Sequence, residues 1–236
     1  EVALLAQNYQ APVYTHNSET IREVEECKGR TGMTPTAYLD SLGMFEYGGG
    51  GYHGVYLTEE DMDIFEKRDL SVVTNPASNM KLASGIAPIA RLMERGINLA
   101  IGTDGPASNN CLDMFREMFL VTGLAKLREK DAAAVDADEV LRMATVGGAK
   151  AMGLRECDTL KAEKLADLIM IDLHQPNMQP LNNISKNLVY SGNKQNVILT
   201  MVNGKILYEA GEFRVGDKPE EIYDRANRII ERMKKL

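Results

Sequence analysis

Ile97-Asn98-Leu99-Ala100-Ile101-Gly102-Thr103-Asp104-Gly105-Pro106-Ala107-Ser108-Asn109-Asn110 decides the reading of this chain. An apolar run of strand length ends in a carboxylate and breaks into Gly-Pro, which places Asp104 at the C-terminal lip of a buried strand. In a parallel α/β protein that lip is where chemistry is placed. Aspartates also start ordinary turns, so this stretch alone leaves Asp104 open between the two roles. The other strand ends bear on the choice.

Upstream of it, Ala87 to Arg95 is patterned as an amphipathic helix closed by Gly96, and Leu70-Ser71-Val72-Val73-Thr74 as a strand followed by a polar turn, Asn75-Pro76-Ala77-Ser78-Asn79. Thr58-Glu59-Glu60-Asp61 caps a helix with Met62, Ile64 and Phe65 facing inward. Four glycines, Gly48 to Gly51, precede His53; no Gly-Lys-Ser/Thr follows them, so a tight bend before a strand that presents His53 is expected rather than a phosphate cradle. Thr34 to Tyr47 reads as a helix and a loop. Thr20 and Glu23 have capping-box spacing and start a charged helix to about Cys27. Before it, Ala11 to His16 is a short strand, and Glu1 to Ala6 reads as the middle of a helix. Strands and helices alternate, so successive strands should lie parallel, with His16, His53, Thr74 and Asp104 at their C-terminal ends. A lone histidine in such a place is more often structural than functional.

Downstream, Cys111 to about Lys126 is expected as a long helix with Leu112, Phe115, Met118, Phe119 and Leu127 on its apolar side, and Asp138 as the cap of a helix through Met152. The composition then changes. Leu165 to Leu173 is strand-like, Gln175 to Asn183 is a linker, Asn196 to Tyr208 is a hairpin turning at Asn203-Gly204, and a charged helix runs from Pro219 to the end.

Composition bounds the class. With 236 residues, 44% of them hydrophobic and 26% charged, the chain can bury one domain core plus an appendage. The net charge of -7 disfavours nucleic acid or an anionic membrane as partner. Cys27, Cys111 and Cys157 have no CxxC spacing, which fits a reducing, cytoplasmic compartment. No apolar run has the length of a membrane span, and no charged-then-apolar leader is expected at Glu1.

Several stretches carry a resemblance: Asn75-Pro76-Ala77-Ser78-Asn79-Met80-Lys81-Leu82-Ala83-Ser84-Gly85, Gly102-Thr103-Asp104-Gly105, Met143-Ala144-Thr145 with Gly148 to Gly153, and Ala166 to Asp172. They resemble the amidohydrolase superfamily, and within it the 5-methylthioadenosine/S-adenosylhomocysteine deaminase group, over nearly the whole chain. The resemblance implies a metal-dependent hydrolytic deamination of an aminopurine nucleoside (5-methylthioadenosine, S-adenosylhomocysteine or adenosine), with zinc, or another divalent metal such as Fe or Mn. It assigns His53 and Asp104 to the metal, Asp104 also to proton transfer, and His16 to substrate; Tyr56 falls on a substrate-side position. Three departures stand out. The family's His-x-His pair is absent, the histidines being His16, His53 and His174. Tyr56 stands where many relatives have a proton-handling Glu, and Thr74 where they have a histidine. His174, beside the linker, is expected at the surface.

The fold expected is therefore α/β. Residues 1–155 form the C-terminal half of a TIM-like (β/α)8 barrel, 156–215 contribute strands to a composite β-sandwich, and 216–236 make a C-terminal helix. Four parallel strands fall short of the eight a closed barrel needs. The chain accordingly reads as part of a longer protein, or as one needing a partner chain or a homo-oligomer to cover its open edges. The alternatives are a non-catalytic barrel scaffold and another amidohydrolase acting on guanine or a triazine-like ring.

Overall fold

The protein is described here by a computed structural model covering residues 1–235. The first part of the chain alternates as expected: α1 (Val2–Tyr9), β1 (Val13–Asn17), α2 (Ile21–Thr31), α3 (Pro35–Ser41), β2 (Gly49–His53), α4 (Glu59–Lys67), β3 (Ser71–Thr74), α5 (Pro76–Lys81), α6 (Ile89–Glu94) and β4 (Asn98–Ile101). The four strands form one parallel sheet in chain order, with Asn17 beside His53 and Thr74 beside Ile101. That order brings the C-terminal ends of all four strands to one edge.

After β4 come α7 (Pro106–Asn109), α8 (Met114–Glu129), α9 (Ala137–Arg142), a π-helical turn over Met143–Gly147, and α10 (Gly148–Ala151). The remainder holds β5 (Leu168–Ile171), α11 (Ile184–Tyr190), β6 (Val197–Val202), β7 (Lys205–Glu209), β8 (Glu212–Phe213) and α12 (Pro219–Met233). The last four strands make a separate antiparallel sheet. Asn203 and Gly204 turn its β6–β7 hairpin with φ of 48° and 74°, as a two-residue turn matched to strand twist requires. Helix α12 buries none of its side chains, and the last residue of the expected C-terminal helix, Leu236, lies outside the described residues.

The core lies between the parallel sheet and its helices. Phe45, Phe65, Leu70, Val72, Leu92, Leu99, Met118 and Val140 are buried in one cluster. Val189 of α11 belongs to it, with Ile171, Leu188 and Val197 packed against it, so the later segment shares the first segment's core. Cys27 is buried, Cys111 and Cys157 are half-buried, and all three are free thiols. His174 is exposed. Among the described residues no helix is long and apolar enough to cross a membrane.

Local expectations fail in four places. The glycines do not bend before β2; Gly49, Gly50 and Gly51 are its residues. A Cβ on Gly50 would overlap the Ser71 carbonyl oxygen and lie 2.7 Å from Tyr14 Cε1, so the strand is glycine because its neighbours come too close for a side chain. Asn75 to Asn79 is not a turn: Pro76 occupies the first position of α5, where its missing N–H costs nothing. The cap of α9 is Asp136, whose carboxylate accepts from Glu139 N, while Asp138 lies in the first turn. In α8 the buried side is Phe115, Met118, Val121 and Ala125, whereas Phe119 and Leu127 are exposed because apolar residues occupy more than one side of this helix, and Leu112, also exposed, lies before its start. Helix α11, between the stretches read as linker and hairpin, has no counterpart in the sequence reading.

Gly50→Ala is expected to destabilise the protein by at least about 2 kcal/mol through overpacking. Gly123→Ala, inside α8 with open space where the methyl would go, should stabilise it by about 1 kcal/mol. Urea midpoints of the two variants check both signs.

Candidate metal centre

His53 closes β2 and Asp104 follows β4 by three residues, and both have left-handed backbones, φ 74° and 57°. Non-glycine residues take up such conformations at a cost, so the surrounding contacts must hold them there. For His53 the contact is explicit. Its ring is fully buried, and Nδ1 lies 2.7 Å from Asn79 Oδ1 in α5. An amide oxygen only accepts, so Nδ1 donates to it, and in the neutral ring Nε2 is the lone-pair nitrogen. That Nε2 has no hydrogen-bond partner; among the described residues the only other buried side-chain polar atom in this state is Asn17 Nδ2, on the neighbouring strand end.

Asp104 is held from two helices. Ser78 Oγ of α5 and Ser108 Oγ of α7 each donate to its Oδ2 at 2.6 Å. Burial acts to raise its pKa, but these hydroxyls, the Gly105 N–H and the nearby His53 outweigh it and bring the carboxyl from 3.8 down to about 2. Asp104 is therefore ionised at neutral pH.

His16, one residue before the end of β1, is exposed and stacks on His53 with ring centroids 5.1 Å apart, flanked by Tyr52 at 5.7 Å. One ligand atom from each of His16, His53 and Asp104 lies within 4.8 Å of the others. Two imidazole nitrogens and a carboxylate oxygen, one of them a buried nitrogen without a partner, suit a divalent cation of the zinc, iron or manganese kind. The residues present thus fit a metal.

Tyr56 is not in this cluster. Its N–H donates to Ser18 O, and its hydroxyl lies over Gly85. Thr74 is buried at the end of β3. Several contributors escaped the sequence reading. Ser78 and Asn79 lie in a motif that reads locally as a turn. Glu19 accepts from Ser84 Oγ through Oε1 and brings Oε2 to 3.8 Å from His53 Nε2. Its loop is fixed by Glu23, whose carboxylate accepts from Ser18 N and Glu19 N, so Glu23 braces the β1 loop while Thr20 caps α2. Glu117 of α8 is buried, accepting from Ala77 N at 3.0 Å and Asn109 Nδ2 at 2.7 Å. Burial raises its pKa above the ordinary 4.5. The available signal was its spacing, four residues before Val121 and eight before Ala125 on the buried side of α8.

An α/β chain with a parallel sheet, whose strand ends gather two histidines and a low-pKa aspartate, has the layout of a metal-dependent hydrolase. The chain belongs to the amidohydrolase family, whose model matches residues 1–207. It is 42% identical over 234 residues to a 5-methylthioadenosine/S-adenosylhomocysteine deaminase of Caldanaerobacter subterraneus subsp. tengcongensis, covering 98% of this chain and 54% of that protein. The structure resembles an adenosine deaminase from Xanthomonas campestris with bound zinc, with a TM-score of 0.93 and 36% identity, over 99% of this chain and 53% of that one. It shares the fold of a zinc-complexed atrazine chlorohydrolase from Arthrobacter aurescens, with a TM-score of 0.88 and 24% identity, over 97% of this chain and 50% of that one. The chain spans about half the length of the proteins it matches.

The low pKa of Asp104 has a consequence for stability. Its folded pKa lies below the ordinary 3.8, so the stabilisation is complete above that value and is lost as pH falls towards about 2. In metal-free protein, Asp104→Asn should flatten the fall in urea midpoint across that interval, measured against the parent.

Proposed function

We propose that this chain carries part of the active site of a zinc-dependent hydrolase that deaminates an aminopurine nucleoside, 5-methylthioadenosine, S-adenosylhomocysteine or adenosine, releasing ammonia. The observation that carries it is the gathering of one ligand atom each from His16, His53 and Asp104 within 4.8 Å, with the buried His53 Nε2 left without a hydrogen-bond partner. The substrate class is supported by the names of the deaminases that the chain resembles. His53 Nε2 and the Asp104 carboxylate would hold the metal. When bound, zinc supplies a Lewis-acidic centre that lowers the pKa of water towards neutrality.

The chain's own groups divide the remaining work. Asp104 is ionised and therefore ready to accept a proton from the attacking water. Both serine hydroxyls fall on Oδ2, so Oδ1 is the atom assigned to that proton and to its delivery to the departing amine. One water is consumed, the C–N bond breaks as the C–O bond forms, and the amine leaves as ammonia. His16, exposed, stacked on His53 and tilted against Tyr52, is assigned to the substrate ring, and Tyr56 is assigned to the substrate side as well.

In the same reading residues 1–155 are half of a β/α barrel, 156–215 are strands of a composite sandwich, and 216–236 are a closing helix. Catalytic zinc takes three protein ligands or more. His53 and Asp104 supply two, and the further ligands are assigned to the portion of the relatives' length that this chain does not span.

The test uses the protein that contains this chain, with absorbance of the three nucleosides as the readout and metal content measured beside it. Asp104→Asn should lower kcat by about 10² to 10⁴. His53→Ala should lose metal and activity together. His16→Ala should chiefly raise KM, because uniform binding is felt before and at the transition state alike. Unchanged turnover in Asp104→Asn refutes the mechanism. Turnover of guanine or a triazine instead of these nucleosides replaces only the substrate, and zinc bound without turnover of any ring marks a non-catalytic barrel. Asn79→Ala strands the His53 Nδ1 proton and should weaken zinc binding by about 10- to 100-fold in a chelator competition.

A further inference from the structure

Among the described residues two carboxylates are buried almost completely, those of Asp61 and Glu117. Asp61 has a local role: it completes the capping box of α4 with Thr58 and accepts from Thr34 Oγ1. Glu117 caps nothing in its own helix and among the described residues its carboxylate has hydrogen-bond donors but no salt-bridge partner, although burying a carboxylate is costly and an apolar residue would suit the site better on packing grounds. Its hydrogen bonds all lead away from α8.

The first reaches α5. Asn75, at the N-cap of α5, makes no side-chain capping bond, and the free N–H of Ala77 is taken up by Glu117 Oε2 at 3.0 Å. The next two residues of α5 are Ser78, which donates to Asp104, and Asn79, which orients His53. The second bond reaches α7: Glu117 Oε1 accepts from Asn109 Nδ2 at 2.7 Å. The same Asn109 nitrogen donates to Thr103 O at 2.6 Å, immediately before Asp104, and the residue before Asn109 is Ser108, the second donor to Asp104. One carboxylate therefore ties together the loops after β3 and β4, which carry every hydroxyl and amide contact on His53 and Asp104 described above.

We propose that Glu117 is a positioning residue for the metal centre: it fixes α5 and α7 so that the His53 ring and the Asp104 carboxylate are held at their observed separation. It touches neither metal nor substrate, and its catalytic consequence rests on the deaminase reading. A charged acceptor suits this task because it receives both donors at once and neither needs to rotate to find water. A glutamine could satisfy only one of them, since its amide nitrogen would face a donor.

The test uses Glu117→Gln in the intact protein, beside Val140→Ala, a fully buried position in α9 that makes none of these contacts. Three readouts are taken well below the melting temperature: zinc affinity by chelator competition, kcat and KM, and the exchange of the His53 Nδ1 proton by NMR in metal-free protein. Glu117→Gln should weaken zinc by about 10- to 100-fold. It should lower kcat more than it raises KM, and speed exchange of the His53 proton. Val140→Ala should lose stability and move none of the three. Should Glu117→Gln fail to fold, Asn109→Ala, which cuts the α7 arm together with the Asn109 bonds to Thr103 O and Cys111 N, should shift the same readouts. Stability lost with zinc affinity and His53 exchange unchanged overturns the proposal and leaves Glu117 a plain core residue. If the parent turns over no aminopurine, the deaminase reading fails, and His53 exchange still decides the role of Glu117.

Discussion

The hydrogen bond from His53 Nδ1 to Asn79 Oδ1 is the constraint on which the site depends. It fixes the tautomer, turns the ring, and leaves Nε2 as a lone pair in a buried place where nothing else satisfies it. A buried nitrogen in that state gains by meeting a cation or a proton, and the carboxylates in reach are Asp104 and, at 3.8 Å, Glu19. Asn79 can do this only because Pro76 starts a helix directly after β3 and carries the Ser78–Asn79 pair back over the strand ends.

Parallel pairing supplies the rest of the geometry. In register, His53 lies beside Asn17 and Thr74 beside Ile101, so polar residues far apart in sequence are delivered to one edge. The close approach of β1 and β3 to β2 is what requires glycine at 49 to 51, and it draws the strand of His53 tightly between its neighbours. His53 at the end of β2 and Asp104 three residues past β4 then both take left-handed backbones. Strain of this kind persists where surrounding contacts over-determine the conformation, and here Asn79, Ser78 and Ser108 do so.

The later segment is tied to the first by burial more than by chain. Val189 of α11 is fully buried in the main cluster, and the same helix sends Tyr190 to meet Phe119 edge-on at 6.4 Å. Helix α12 is different: Ile222, Ile229, Ile230 and Met233 line a helix that buries no side chain in this structure.

Local sequence determined much of this. Alternating strands and helices, the Thr58 capping box, the Asn203-Gly204 hairpin and the polar residues His16, His53, Thr74 and Asp104 at strand ends follow from pattern and short-range chemistry, which act over a few residues. Pattern could not show that the glycine run is a strand, because the reason is the crowding of Tyr14 and Ser71, which no local window contains. Nor could it show that Asn75 to Asn79 opens a helix, that α11 buries Val189 in the main core, or that Glu117 faces inward with two donors waiting. A carboxylate on a helix is read as solvated unless the partners that make its burial tolerable are known, and those partners, Ala77 and Asn109, lie 40 and 8 residues away. Sequence thus set which groups stand at the strand ends. Tertiary structure alone decided which way each faces and what holds it there, because hydrogen bonds between loops depend on distances that only the packed sheet fixes.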